Sequence, residues 1–117
     1  MRVLVCGGRD YRDGGRVREE LNKIDGELER GIHLVIQGGA LGADRAAENW
    51  ALDHEVPTVR VNAQWSKYGR KAGPLRNRRM LIEWDADLVL AFPGGRGTQN
   101  MVDLAKEYNC KVVQIRK

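Results

Sequence analysis

The sequence predicts an α/β domain with a five-stranded parallel sheet between two layers of helices, on two observations. Strand-length apolar runs alternate strictly with segments of helical period, the pattern of right-handed crossovers between parallel strands. Three of the runs are followed at once by glycine-rich turns, as at the carboxyl edge of an open sheet, where ligands bind. With 117 residues the whole chain, 1–117, reads as a single Rossmann-like three-layer sandwich, long enough to bury a core without metals or disulfides.

The five strand runs are RVLVC at 2–6, HLVIQ at 33–37, TVRVN at 58–62, DLVLAF at 87–92 and KVVQI at 111–115. Each is short and rich in Val, Ile and Leu. The first helix carries Val17, Leu21, Ile24 and Leu28 on one face, with Gly31 placed as its C-cap. The second presents Ala43, Ala46, Ala47, Trp50 and Ala51, a face of mostly small residues that lets a helix lie close to a sheet. The third opens at GPLRNRRMLIEW, with Pro74 suited to a first helical position and Trp84 toward the sheet. The fourth is expected to start after Thr98 as N-cap and to turn Met101, Ala105 and Tyr108 inward.

Composition excludes several classes. The chain is 42% hydrophobic and 31% charged, with a net charge of +4, so nucleic acids and anionic small molecules are both admissible partners. No run approaches the roughly 18 apolar residues of a membrane span, and the N-terminus runs straight into a strand. No membrane association and a cytoplasmic location are therefore expected. Cys6 and Cys110 stand far apart, and His33 and His54 are isolated, so neither a disulfide framework nor a metal site is read, and no cofactor is expected. Cys6 is read as a small apolar group, not a nucleophile.

Three glycine turns share one edge: GGRD (Gly7, Gly8, Arg9, Asp10), GGALGAD (with Gly38, Gly39, Gly42 and Asp44) and PGGRGT (Pro93, Gly94, Gly95, Arg96, Gly97, Thr98). Two of them run into helix N-termini, whose free N–H groups favour anions. The rim is thus read as a phosphate-binding edge. Between Gln64 and Met80 lie Lys67, Arg70, Lys71, Arg76, Arg78 and Arg79, with no acid among them. Arginines near a helix start oppose the macrodipole, a placement that a bound anion offsets, and Arg76 and Arg79 are the candidates. Arg9 and Arg96 present forks that match phosphate oxygens, or are plain surface arginines. Asp44 either complements the second helix start or accepts hydrogen bonds from ribose hydroxyls or acts as an acid or base, with Asp10 a further acid at the same edge. Trp65, beside Tyr68, either stacks a base or pins a loop.

VLVCGGRDY, QGGALGADRAAENWA, WSKYGRKAGPLRNRRM and DLVLAFPGGRGTQNMV together resemble the YspA-type branch, a domain of unknown function, of the SLOG superfamily. Its other members include the Lonely Guy phosphoribohydrolases and the DNA-processing Smf proteins. The resemblance implies a Rossmann-like fold that binds nucleotide-derived ligands at the glycine rim, often as a homodimer. The PGGxGTxxE motif of the Lonely Guy enzymes is similar to Pro93, Gly94, Gly95, Gly97 and Thr98, but Met101 stands where their Glu stands. A methionine carries no proton. The first expectation is accordingly a binding module, a sensor or sequestering protein for a nucleotide or a phosphoribosyl or ADP-ribose-like molecule. The alternative is a phosphoribohydrolase-like N-glycosidic hydrolase in which Asp44 and Arg76 carry the chemistry. A single-stranded nucleic acid on the basic segment is a third.

Overall fold

The computed structural model describes residues 1–116. Five parallel strands form one sheet in the order β3-β2-β1-β4-β5, where β1 is Arg2–Cys6, β2 Leu34–Gln37, β3 Thr58–Arg60, β4 Leu88–Ala91 and β5 Lys111–Gln114. The chain builds outward from β1 to β3, then crosses back to lay β4 on the other side of β1, with Val3 opposite Leu88 and Cys6 opposite Ala91. Strand order therefore reverses between β1 and β4. That is where an open α/β sheet leaves a crevice.

Alternation along the strands divides the core into two halves. Val3, Val5, Val35, Leu88 and Leu90 face one side, packed with Val17 and Leu21 of α1 (Gly14–Glu27) and with Ala43, Ala47 and Trp50 of α2 (Ala43–Asp53). Leu4, Cys6, Ile36, Val89 and Ala91 face the other, packed with Met80 and Leu81 and with Met101, Val102 and Ala105 of α5 (Arg96–Glu107). All of these side chains are buried. The small residues of α2 lie against the sheet as expected: Ala43, Ala47 and Ala51 are packed with Val3, Val5 and Val35, and a β-carbon on Gly7 at the end of β1 would lie 2.8 Å from Ala43 Cβ.

Helix boundaries differ from the sequence reading in four places. α1 begins at Asp13, whose Oδ1 accepts the Arg16 N–H at 3.0 Å, and ends at Leu28 rather than Gly31. Gly31 lies beyond, at φ 71°, in a turn closed by Asp25, which accepts the Ile32 N–H at 2.7 Å. The polar connection after β3 is itself helical: α3 spans Trp65–Tyr68, a 3-10 turn spans Gly69–Lys71, and α4 spans Ala72–Arg78 before a π-helical turn at Arg79–Glu83. Pro74 is the third residue of α4, where its missing N–H still costs no helical bond. Trp84 caps the π-helical turn and is 37% exposed, not a core residue, because the widened turn swings it off the sheet face. Tyr108, likewise expected inside, caps α5 and lies exposed beside the Arg78 guanidinium, 5.8 Å from its ring centre. No helix among the described residues is long and apolar enough to cross a membrane.

Candidate functional site

The three glycine turns meet, and they meet through their backbones. Gly8 N–H donates to Pro93 O at 2.9 Å, tying the turn after β1 to the turn after β4. A β-carbon on Gly8 would lie 3.1 Å from Gly94 Cα, and one on Gly94 would lie 2.6 Å from Gly8 N and overlap Thr98 Oγ1. On the opposite side Gly42, at φ 84°, presses against Gly8 O, 2.5 Å from where its β-carbon would be. Gly7 is boxed in by Ala43 and Phe92 in the same way. These glycines are required by the interlock of the turns.

Gly95 and Gly97 are different: a β-carbon on either would have nothing within 4 Å. Both line a cleft of about 230 Å³ at the β1–β4 reversal, together with Gly8, Arg9, Asp44, Arg76, Asn77 and Thr98. Gly95 is the N-cap of α5, which has no side-chain cap, and Thr98 is the third helical residue, not the cap. The helix starts earlier than expected because Gly95 needs no side chain to begin it. Its first-turn N–H groups, at Arg96, Gly97 and Thr98, consequently lack intrahelical partners at the mouth of the cleft.

Opposite them stands a polar wall. Arg76 Nη1 donates to Gly38 O at 3.1 Å, and Arg76 Nε donates to Asn77 Oδ1 at 3.1 Å. Asn77 is buried and donates through Nδ2 to Gly97 O at 3.1 Å and to Asn100 Oδ1 at 2.9 Å. This one amide fastens α4 to the first turn of α5 and sets the plane of the Arg76 fork. Sequence reading missed it. The available signal was an asparagine, a weak helix former, in the middle of a helical arginine run.

The second turn is held from inside. Gln37, buried, donates through Nε2 to Glu48 Oε2 at 2.9 Å and accepts the Gly39 N–H at 2.6 Å, while Arg60 Nη2 reaches both Glu48 oxygens at 2.9 and 3.0 Å. Asp44 Oδ2 accepts the Gly38 and Ala40 N–H groups, each at 3.2 Å. Asp44 thus braces the loop before α2 and does not cap the helix, whose N-cap is Gly42. Its other oxygen, Oδ1, is buried with no hydrogen-bond partner.

Burial pushes the Asp44 carboxyl up from 3.8 to about 6, against the opposing pull of the Ala40 N–H, the Arg76 guanidinium and the Gly38 N–H. Burial, then the charge of Asp44, pushes the Cys6 thiol at the cleft floor up to about 12, with Arg76 opposing. Cys6 stays a thiol, as its reading as an apolar group requires. The raised Asp44 value has a sign that can be checked. Its contribution to stability is fully present below the unfolded value and is lost as pH rises through about 6. The rise corresponds to about 3 kcal/mol at about 1.4 kcal/mol per unit. Asp44→Asn keeps an acceptor for the Gly38 and Ala40 amides and does not titrate. Urea unfolding from pH 4.5 to 7.5 should therefore show the parent losing stability relative to the variant, by about 2 kcal/mol, the rest of the loss falling between the unfolded value and pH 4.5; parallel pH profiles would contradict the assignment.

The remaining candidates are placed as follows. A second cleft, about 600 Å³, adjoins the first and is lined by Gly38, Gly39, Leu41, Asn62 and Trp65, with Arg9, Ala40 and Arg76 common to both. Pro93, Gly94 and Thr98 also border a third hollow, of about 240 Å³, between the ends of β4 and β5. Asp10 and Arg96 are exposed at the edge and line none of these. Arg79 points away, pairing with Glu83 at 3.3 Å on a groove of about 390 Å³ that it shares with Tyr68, Leu75, Arg78 and Ile82. Met101, on the buried face of α5, is fully buried against the sheet.

Residues 1–68, which carry the first two turns, match the YspA, cpYpsA-related SLOG family. The chain belongs to this family. The Gene 61 protein of Mycobacterium phage D29 is 36% identical to this SLOG domain over 121 residues, covering 96% of this chain and 94% of its own. Among solved structures, DNA processing protein A (DprA) from Streptococcus pneumoniae superimposes with a TM-score of 0.73 at 20% identity over 99% of this chain. The SLOG domain spans 50% of the DprA chain. The molybdenum cofactor carrier protein from Chlamydomonas reinhardtii follows with a TM-score of 0.71 at 18% identity, over 97% of this chain and 75% of its own. These two likenesses are of fold.

Proposed function

We propose that this SLOG domain binds a nucleotide-derived small molecule, such as a nucleoside phosphate or an ADP-ribose-like compound, as a sensor or sequestering module. One observation carries the reading: Gly95 and Gly97 open onto the cleft at the uncapped start of α5, where no contact within the protein calls for glycine. Backbone at such a place is free for a phosphate to approach closely, and the first-turn amides are its donors. Arg76 supplies charge at a fixed angle because Asn77 and Gly38 O hold it, and Arg9 supplies it from the exposed lip. Asp44, which lines the same cleft, is read as the contact for a ribose hydroxyl.

A second reading is favoured by Asp44 itself. A carboxyl titrating near neutrality beside an arginine suits general acid or base work, as cleavage of an N-glycosidic bond requires. The position that carries a Glu in the Lonely Guy motif is here the core residue Met101, so in this reading the proton transfer falls to Asp44, with Arg76 beside it. Thermal denaturation with nucleoside monophosphates, NAD and ADP-ribose, run beside an assay for released base, separates the two. A ligand at a hundred times its Kd adds about 2.7 kcal/mol, a rise in Tm of the order of 10 °C for a domain of this size. Stabilisation without base release is the expected result. Release that Asp44→Asn abolishes would make the protein a hydrolase, and no stabilisation by any member of the panel would refute the binding reading.

A further inference from the structure

We infer that the cleft between Leu41 and Trp65 receives the planar base of the ligand, with the indole of Trp65 as its stacking face. The inference rests on the phosphate reading of the adjoining cleft and extends it to the other end of the molecule. Leu41 and Trp65 are each 60% exposed, among the most exposed large apolar side chains described, and they come from the turn before α2 and the start of α3 to line one cleft of about 600 Å³. Lone exposed apolar residues are ordinary, but two lining one concavity make a site for an apolar ring.

The indole is also held in place. The Cη2 edge of Trp65 lies over Gly73, only 3.3 Å from where a β-carbon there would sit. Gly73 is inside α4 and has no left-handed backbone to justify it. A glycine in a helix costs about 1 kcal/mol relative to alanine, so the space it leaves for the ring is its evident use. A Trp supported at its edge, 60% exposed and lining a cleft, is suited to stacking. Continuity between the two clefts makes the occupant a base rather than an unrelated ring: Arg9, Ala40 and Arg76 border both, so a molecule with its phosphate on α5 extends past Arg76 directly onto Trp65. The Asn62 amide lies in the same cleft, offering both a donor and an acceptor to a base edge.

Calorimetric titration with ribose 5-phosphate and with AMP, GMP, CMP and UMP tests this on the full chain and on Trp65→Ala and Trp65→Phe. The best nucleotide is expected to bind about 10- to 100-fold more tightly than ribose 5-phosphate. Trp65→Ala should bring it down to the ribose 5-phosphate level while leaving ribose 5-phosphate unchanged, and Trp65→Phe should restore most of the difference. Equal affinities of nucleotide and ribose 5-phosphate, or a ratio that Trp65→Ala does not alter, would overturn the base site and leave the phosphate reading standing. Failure of every probe, sugar phosphate included, would overturn both. Sedimentation of the same variants covers the other occupant: if Trp65→Ala turns a dimer into a monomer with nucleotide affinity intact, the ring belongs to an interface between copies and the inference falls.

Discussion

Gly95→Val and Gly97→Ala are expected to remain folded and to lose nucleotide binding. Gly97 is the second residue of α5, and a methyl group there meets nothing within 4 Å. Alanine is the better helix former, so the apo variant should be as stable as the parent or more so, by about 0.5–1 kcal/mol. The same methyl projects into a cleft of only about 230 Å³, across the path by which an anion reaches the first-turn amides. Affinity should fall at least tenfold, and with the branched side chain of Gly95→Val ligand-induced stabilisation should vanish. Thermal denaturation with and without nucleotide reads both quantities from one sample. An equally stable variant that binds as the parent does would place the ligand elsewhere.

Gly42→Ala and Gly94→Ala should do the reverse, damaging the fold before any ligand is considered. At Gly42 the backbone has φ 84° and ψ −128°, a region closed to other residues, and the added carbon would stand 2.5 Å from Gly8 O. Strain of about 1–3 kcal/mol and overpacking of a similar size add at one position. The total, about 2–6 kcal/mol, is a large part of the 5–15 kcal/mol typical of a domain. Gly94→Ala overlaps Thr98 Oγ1 and comes within 2.6 Å of Gly8 N, a backbone group fixed by its hydrogen bond to Pro93 O. Urea midpoints should drop in both variants, while Gly95→Val keeps the parental midpoint. Should all of these variants unfold alike, the division of the glycines into two kinds would be wrong.

That division marks the limit of what could be read from the residues alone. The runs 2–6, 33–37 and 87–92 place the sheet interior because fully buried strands need continuous apolar stretches, and Val3, Leu4, Val35, Ile36, Val89 and Leu90 are all buried. The glycine clusters mark the carboxyl edge for an equally local reason. What each glycine is for is not local. Gly8, Gly42 and Gly94 are dictated by one another across the sheet reversal, Gly95 and Gly97 by open space, and both kinds look the same in PGGRGT.

The arginines tell a similar story. A helix start rich in cations is visible in the sequence, but only packing separates Arg76, drawn inward by Gly38 O and Asn77, from Arg79, which turns to Glu83 one turn on. Asn77 was invisible because its partners, Gly97 and Asn100, are 20 and 23 residues away. The start of α5 was misplaced at Thr98 because a Thr is a recognisable cap, whereas an uncapped start at a glycine leaves no mark.

The backbone contact between Gly8 and the turn after β4 has a consequence for how the protein meets its ligand. Gly8 is wedged between Pro93–Gly94 on one side and Gly42 on the other, so none of the three loops can swing without displacing the other two. If a phosphate binds there as proposed, the cleft is already shaped for it, so little ordering entropy is left to lose at that end. Adjustment is left to the exposed side chains around it, Arg9 at the lip and Leu41 beyond, so on the proposed reading selectivity among ligands can drift at that outer end while the inner cleft stays the same.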